Sequence, residues 1–96
     1  MKLLKLEKSP KPEKKWRAIF ELDNGRLKHT DFGDSSMEDY TQHKDKQRRE
    51  NYRSRHQKDL RTKDPTRAGY LSYYILWGPF TSVRSNLDFY RRKFNL

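Results

Sequence analysis

At 96 residues and a net charge of +10, the chain has room for one domain with a modest core and a pronounced bias toward polyanionic partners. Apolar residues make up 31% and charged residues 38%, a balance that would permit disorder were it not for 14% aromatics and regular apolar spacing. The absence of cysteine excludes a disulfide framework and a thiolate metal site. No apolar run approaches the ~18 residues of a membrane span, so a soluble, intracellular protein that does not enter membranes is expected.

Residues 1–15 alternate lysine with small apolar residues and contain Pro10 and Pro12, which disfavour a regular helix. Met1 to Glu7 lacks the uninterrupted apolar stretch of a secretion signal. The segment reads as a flexible basic tail, with an edge strand seated by Leu3, Leu4 and Leu6 as the alternative. The rest, residues 16–96, reads as a single compact α+β domain.

Residues 16–32 predict an antiparallel β-hairpin around Asn24-Gly25, the preferred pair for a two-residue turn in which both residues take φ > 0. That turn sets Glu21 against Lys28 and Asp23 against Arg26, two cross-strand charge pairs. It places Trp16, Ala18, Phe20, Leu22 and Leu27 on one face, with His29 beside them, and Ile19 and Thr30 on the other. A lone hairpin is marginal in water, so helices must cover the Trp16–Phe20 face.

Ser35 and Glu38 have the spacing of a capping box, predicting a long polar helix to about His56, with a break near Thr41 as an option. Residues 57–64 read as a loop. Asp64-Pro65 then starts a core helix over about 65–77, ended by Gly78-Pro79. Thr81 or Ser82 caps a last helix whose Val83, Leu87, Tyr90 and Phe94 form one apolar stripe, with Asp88 spaced to pair with Arg92. The expected fold is thus an N-terminal antiparallel hairpin, with or without a third edge strand, packed on about three α-helices.

The strings Asp39-Tyr40-Thr41-x-His43-Lys44-Asp45 and Tyr52-x-x-Arg55-His56 open a wider likeness. It continues through Asp64-Pro65-x-x-Ala68-Gly69-x-Leu71-Ser72, Ile75-Leu76-Trp77 and Tyr90-x-x-Lys93-Phe94. Together they resemble a family of small basic proteins encoded by large DNA viruses of eukaryotes. The resemblance spans roughly residues 16–96. It implies a compact viral protein located in the infected cell (cytoplasm, viral factory or nucleus) or in the virion, and supplies no activity.

For chemistry, His29, His43 and His56 are scattered, and Asp39, His43 and Asp45 have no nucleophile, oxyanion hole or phosphate-binding glycine loop to serve. No enzyme, cofactor or metal site is expected. Asp39, Tyr40, Thr41 and His43 to Asp45 read as organisers of the junction between hairpin and helix.

The functional signal is charge distribution. Residues 18–42 carry a net −4 and residues 43–67 a net +6. The candidate nucleic-acid-binding residues are Lys44, Lys46, Arg48, Arg49, Tyr52, Arg53, Arg55, Lys58, Arg61, Lys63 and Arg67. Such a row neutralises successive phosphates; Tyr52 between Arg48 and Arg55 is placed to stack on a base or sugar, with packing on the core helix as the more usual use of a tyrosine. The partner expected is nucleic acid, DNA before RNA, with genome condensation or packaging as the role. The alternative is a minor virion or adaptor protein gripping an acidic partner; the aromatic crowd Tyr70, Tyr73, Tyr74, Trp77 and Phe80 reads first as core, and any surplus would contribute a protein–protein patch; a homodimer fits either.

Overall fold

The computed structural model describes residues 1–96 and shows an α+β fold. Three strands, β1 (Lys2–Lys8), β2 (Lys14–Glu21) and β3 (Leu27–Asp34), form an antiparallel sheet in sequence order. Four helices follow: α1 (Tyr40–His43), α2 (Lys46–His56), α3 (Ala68–Leu71) and α4 (Val83–Phe94). A 3-10 segment, Gln57–Thr62, extends α2, and a π turn, Ser72–Leu76, extends α3. The edge-strand alternative for the N-terminus is therefore the one realised; β1 pairs along β2 from Lys2 opposite Glu21 to Lys8 opposite Trp16. A bulge at Leu4 interrupts the ladder. Arg91 of α4 reaches it, its Nε and Nη2 donating to the carbonyl of Leu3 at 3.0 and 2.9 Å and Nη2 to that of Leu4 at 3.0 Å.

The hairpin differs from expectation by one residue. Leu22 pairs with Arg26 across a three-residue loop, with the Gly25 N–H donating back to the Leu22 carbonyl at 2.8 Å. Only Gly25 takes positive φ, at 83°, while Asp23 and Asn24 do not, so the turn is followed by a glycine bulge and is not the two-residue type. The shift sets Arg17 opposite Asp31 and Trp16 opposite Phe32. It removes both predicted charge pairs, turns Leu27 outward at 58% exposure and seats Phe32 in the core at 0%. Ile19 and His29 share the outer face, whereas Thr30 faces inward and donates to the Thr66 carbonyl at 2.8 Å.

Arg17 grips Asp31 through Nε and Nη2 at 2.9 and 3.1 Å, and the Ser9 hydroxyl donates to the same carboxylate at 2.9 Å. The Arg17 hydrogen bonds, aided by Ser9 and opposed by desolvation, lower the Asp31 carboxyl from 3.8 to about 2. The folded state thus holds this proton less tightly than the unfolded chain, so the group's stabilisation is complete above 3.8 and is lost as pH falls toward about 2. Urea midpoints measured above and inside that window are expected to fall less for Asp31→Asn than for the wild type. Equal acid sensitivity in the two proteins would contradict this assignment.

The predicted long helix is also interrupted. Asp39, not Ser35, is the first cap: its side chain accepts from the Thr41 N–H while Gln42 reaches back to the Asp39 N–H, a capping box four residues further along. Lys44 takes left-handed φ 60° and ends α1, and Asp45 then caps α2 by accepting from the N–H groups of Gln47 and Arg48. Residues 57–62, expected as loop, coil into the 3-10 segment because Leu60 faces the core and Tyr70 donates its hydroxyl to the Leu60 carbonyl at 2.8 Å. Asp64 does not start a helix; it folds over Thr66, accepting from its N–H and hydroxyl at 2.9 and 2.6 Å, and α3 begins only at Ala68.

The sheet's inner face, with Leu3, Ala18, Phe20 and Phe32, packs on Tyr40, Tyr70, Leu71, Ile75, Leu76, Trp77 and Tyr90. The α4 stripe joins this core, and Ser82 is its cap. Asp88 makes no ion pair with Arg92. Gly78 closes the π turn so tightly that a Cβ there would stand 2.0 Å from the Tyr74 carbonyl oxygen.

Candidate nucleic-acid interface

The eleven predicted residues divide into two sets. Helix α2 docks through Arg49, Tyr52, Arg53 and His56, an i, i+3, i+4, i+7 stripe with no aliphatic member. Arg49 Nε donates to the Gly78 carbonyl at 2.7 Å, and Arg53 Nη1 donates to those of Tyr73 and Trp77 at 3.1 and 2.7 Å. These carbonyls crowd the C-terminal end of the π turn, where a positive charge complements the helix dipole. The Arg53 guanidinium also lies 4.0 Å from the Tyr73 ring centroid, and burial lowers its pKa. Tyr52 is sandwiched between Trp77, at 4.2 Å and nearly parallel, and His56, at 4.1 Å. Desolvation pushes its hydroxyl up to about 12. Arg49, Arg53 and Tyr52 are therefore spent on packing and are withdrawn from the candidate surface.

Lys44, Lys46, Arg48, Arg55, Lys58, Arg61 and Lys63 are exposed, and none pairs with a carboxylate. Arg67 is exposed but leans on Asp64 at 3.6 Å. Three of the free cations converge: Arg55, Lys58 and Arg61 line one open concavity of about 600 Å³ with Ser54, Gln57 and Leu60. No acidic side chain lines it. The junction of α2 with the 3-10 segment makes this convergence: 3 residues per turn keep Lys58 and Arg61 eclipsed, and Arg55 in the last turn of α2 precedes them by three.

The acidic hairpin does not neutralise this face. Asp31 is held by Arg17 and, at 3.7 Å, by Lys11; Asp39 is held by Lys15 at 2.8 Å; and Asp23 takes the terminal amine. All of those cations come from the first seventeen residues. The sequence thus carries an internal pairing between the basic N-terminal segment and the acidic segment after it, which leaves the later cations over.

A second concavity of about 580 Å³ escaped sequence reasoning. It lies where the β1–β2 turn meets α1 and the start of α4, and Lys8, Lys11, Lys14, Lys15 and Trp16 line it. Its lysines come from the segment read as a tail, and only the pairing of β1 with β2 gathers them. The aromatic crowd, by contrast, is spent on the interior: Tyr70, Tyr73 and Trp77 are each 7% exposed, Tyr74 packs against the core, and Phe80 alone is open at 46%.

His43 offers no reactive arrangement. Its Nδ1 accepts from the Asp45 N–H at 2.9 Å, its ring lies 5.2 Å from Trp77, and its Nε2 is buried without a hydrogen-bond partner. It fixes the α1–α2 corner beside the two caps. No three His, Asp or Glu side chains converge to hold a metal ion.

The fold and its surface define a small cationic α+β domain with a concavity lined by unpaired cations. Residues 4–56, more than half of the chain, match the model of a family described as "Family of unknown function (DUF5754)", and the chain belongs to that family. The matched stretch runs from β1 to the end of α2. No curated protein and no solved structure matches the chain.

Proposed function

We propose that this domain binds nucleic acid, DNA before RNA, through backbone phosphates gripped by Arg55, Lys58 and Arg61, with Arg48, Lys63, Lys44 and Lys46 extending the contact. The observation that carries the reading is the convergence of Arg55, Lys58 and Arg61 on one concavity without a carboxylate partner. A guanidinium that serves folding is held by carbonyls, as Arg53 is; these three are left to solvent. Arginine's planar fork suits phosphate oxygens, and an exposed, unpaired cation row releases counterions when it meets a polyanion. With no exposed aromatic among these cations, and with the Gln47 amide donating to the Asn51 side-chain oxygen at 3.1 Å and so engaged within α2, contact without base preference is the natural outcome. Genome condensation or packaging is the role that such phosphate contacts without base preference would serve. An adaptor gripping an acidic protein would want an apolar centre beside the charges, and none of the exposed large apolar side chains, Met1, Leu4, Leu27, Met37 and Phe80, lines the concavity of Arg55, Lys58 and Arg61.

Gel-shift titration of the whole chain against duplex DNA at two salt concentrations tests the reading. With three to five phosphates neutralised, a fourfold rise in salt weakens binding by about 40- to 500-fold, following the slope of ~0.9 per phosphate. Reversing Arg55, Lys58 and Arg61 to glutamate is expected to weaken binding about 30-fold and to cut that slope by about 3. Duplex affinity that survives the triple reversal, or that ignores salt, would sink it.

A further inference from the structure

The second concavity differs from the α2 face in one respect that matters for ligand choice: it pairs cations with an aromatic ring. We infer that the cleft at the β1–β2 turn is a separate site for an unpaired nucleotide, with the base against Trp16 and the flanking phosphates on Lys8, Lys11 and Lys14.

The argument begins with which charges are free. Lys15 is consumed, donating to Asp39 at 2.8 Å and to the Gln42 amide oxygen at 2.6 Å. That pair cancels the one carboxylate lining the cleft. Lys8 and Lys14 pair with no carboxylate, and Lys11 has only a long approach to Asp31 at 3.7 Å. The floor is rigid: the Ser9 hydroxyl is tied to Asp31, the Ser35 hydroxyl to the Pro12 carbonyl and the Thr41 hydroxyl to Asp39. Gln42 is fixed as well. Its amide oxygen accepts from Lys15 and from the Asp39 N–H at 3.0 Å, which settles the orientation of the amide and leaves both Nε2 hydrogens unspent at the cleft. Trp16 is half-buried, its inner side on the core, and its remainder lines the cleft.

The volume of about 580 Å³ falls within the ~300–1,000 Å³ of small-ligand sites. A lysine-rimmed aromatic with one oriented donor is the combination that holds single strands, because a base offers its π-face only when it is unstacked. Duplex DNA presents phosphates but no free base face, so it gains the lysines and not the ring. The inference rests on the reading of the chain as a nucleic-acid binder for its ligand class, and uses a different surface.

The test compares fluorescein-labelled oligo-dT with a duplex of equal length, titrated with the full chain by anisotropy. Trp16→Leu is expected to weaken oligo-dT binding about tenfold and to leave duplex binding unchanged. Because Trp16 also packs on the core, the variant Lys8→Glu/Lys14→Glu is run beside it and is expected to weaken oligo-dT binding more than duplex binding, since the duplex is held mainly at the α2 face. Tryptophan emission of the wild type should fall as oligo-dT binds. The Arg55/Lys58/Arg61 reversal serves as the opposite arm, lowering duplex affinity more than oligo-dT affinity. If Lys8→Glu/Lys14→Glu weakens both ligands equally, or neither, the cleft assignment is overturned while the α2 reading stands. If duplex binding is absent but oligo-dT still binds in a Trp16-dependent way, the α2 reading falls and the cleft survives.

Discussion

Asn86→Ala is expected to leave the domain barely stable. Asn86 is fully buried and its amide spends everything it has: Nδ2 donates to the carbonyls of Ile75 and Phe80, both at 2.8 Å, and Oδ1 accepts from the Phe80 N–H at 2.9 Å. These three bonds tie the turn after Trp77 to α4 and close the π turn at its open end. Alanine would orphan the Ile75 carbonyl in the interior and the Phe80 N–H and carbonyl at its edge, and leave a void where the amide stood. Unsatisfied buried groups cost ~1–3 kcal/mol each and overlap when they are neighbours, so a loss of about 4 kcal/mol is expected. A chain of this length holds ~5–14 kcal/mol in all. At ~4–8 °C per kcal/mol the melting temperature should drop by roughly 20 °C. Asn86→Asp is expected to do no better, since it aims a buried negative charge at the Ile75 and Phe80 carbonyl oxygens. Urea titration followed by circular dichroism checks both. A loss under about 1 kcal/mol would mean that the turn is held by packing alone.

Nothing in the chain's periodicity marks Asn86, because a single polar residue on an amphipathic helix is assigned to solvent by default. The same blind spot explains much of what the sequence did not disclose. Its coarse architecture was legible: Asn24-Gly25 located the hairpin, Thr81-Ser82 marked the start of the last helix, which Ser82 caps, and Val83, Leu87, Tyr90 and Phe94 gave its buried stripe. The hairpin register was also within reach. Two weak charge pairs favoured the two-residue turn, whereas only a loop one residue longer sets Arg17 against Asp31 and brings Trp16 and Phe32 to the same face. Burial of a phenylalanine outweighs surface ion pairs of ~0.2–1 kcal/mol, and the comparison of magnitudes points to the register observed.

The ends of α1 and α2 were harder to place. Lysine in left-handed backbone at position 44 has no sequence signature; the N-cap of Asp45 and its N–H bond to His43 hold the corner instead. Of the candidate surface, charge alone could not separate the arginines that fold the protein from those left for a partner. That separation depends on where backbone carbonyls end up, and the π turn that frees them is a tertiary outcome. The cleft lysines were invisible for a related reason: they belong together only once β1 pairs with β2.

The two kinds of arginine should therefore come apart on substitution, and Arg53 against Arg55 is the sharpest pair, two residues apart on one helix. Arg53→Met keeps most of the side-chain volume but removes the donors to Tyr73 and Trp77 and the cation over the Tyr73 ring. Hydrogen bonds from a charged donor are worth ~1.5–3 kcal/mol, and two are lost from one guanidinium, so a destabilisation of about 3 kcal/mol is expected. Duplex affinity, measured where the variant is still folded, should change by less than about twofold. Arg55→Met is expected to do the reverse: less than about 0.5 kcal/mol in stability, as for a surface position without special contacts, and a fall of about three- to fivefold in duplex binding from one lost phosphate contact. The methionine keeps the helix propensity of the original, so neither result can be blamed on the helix itself. If Arg53→Met unfolds nothing but weakens binding, its guanidinium faces the ligand and the docking of α2 needs another explanation. If Arg55→Met destabilises as much as Arg53→Met, the concavity it shares with Lys58 and Arg61 serves the fold.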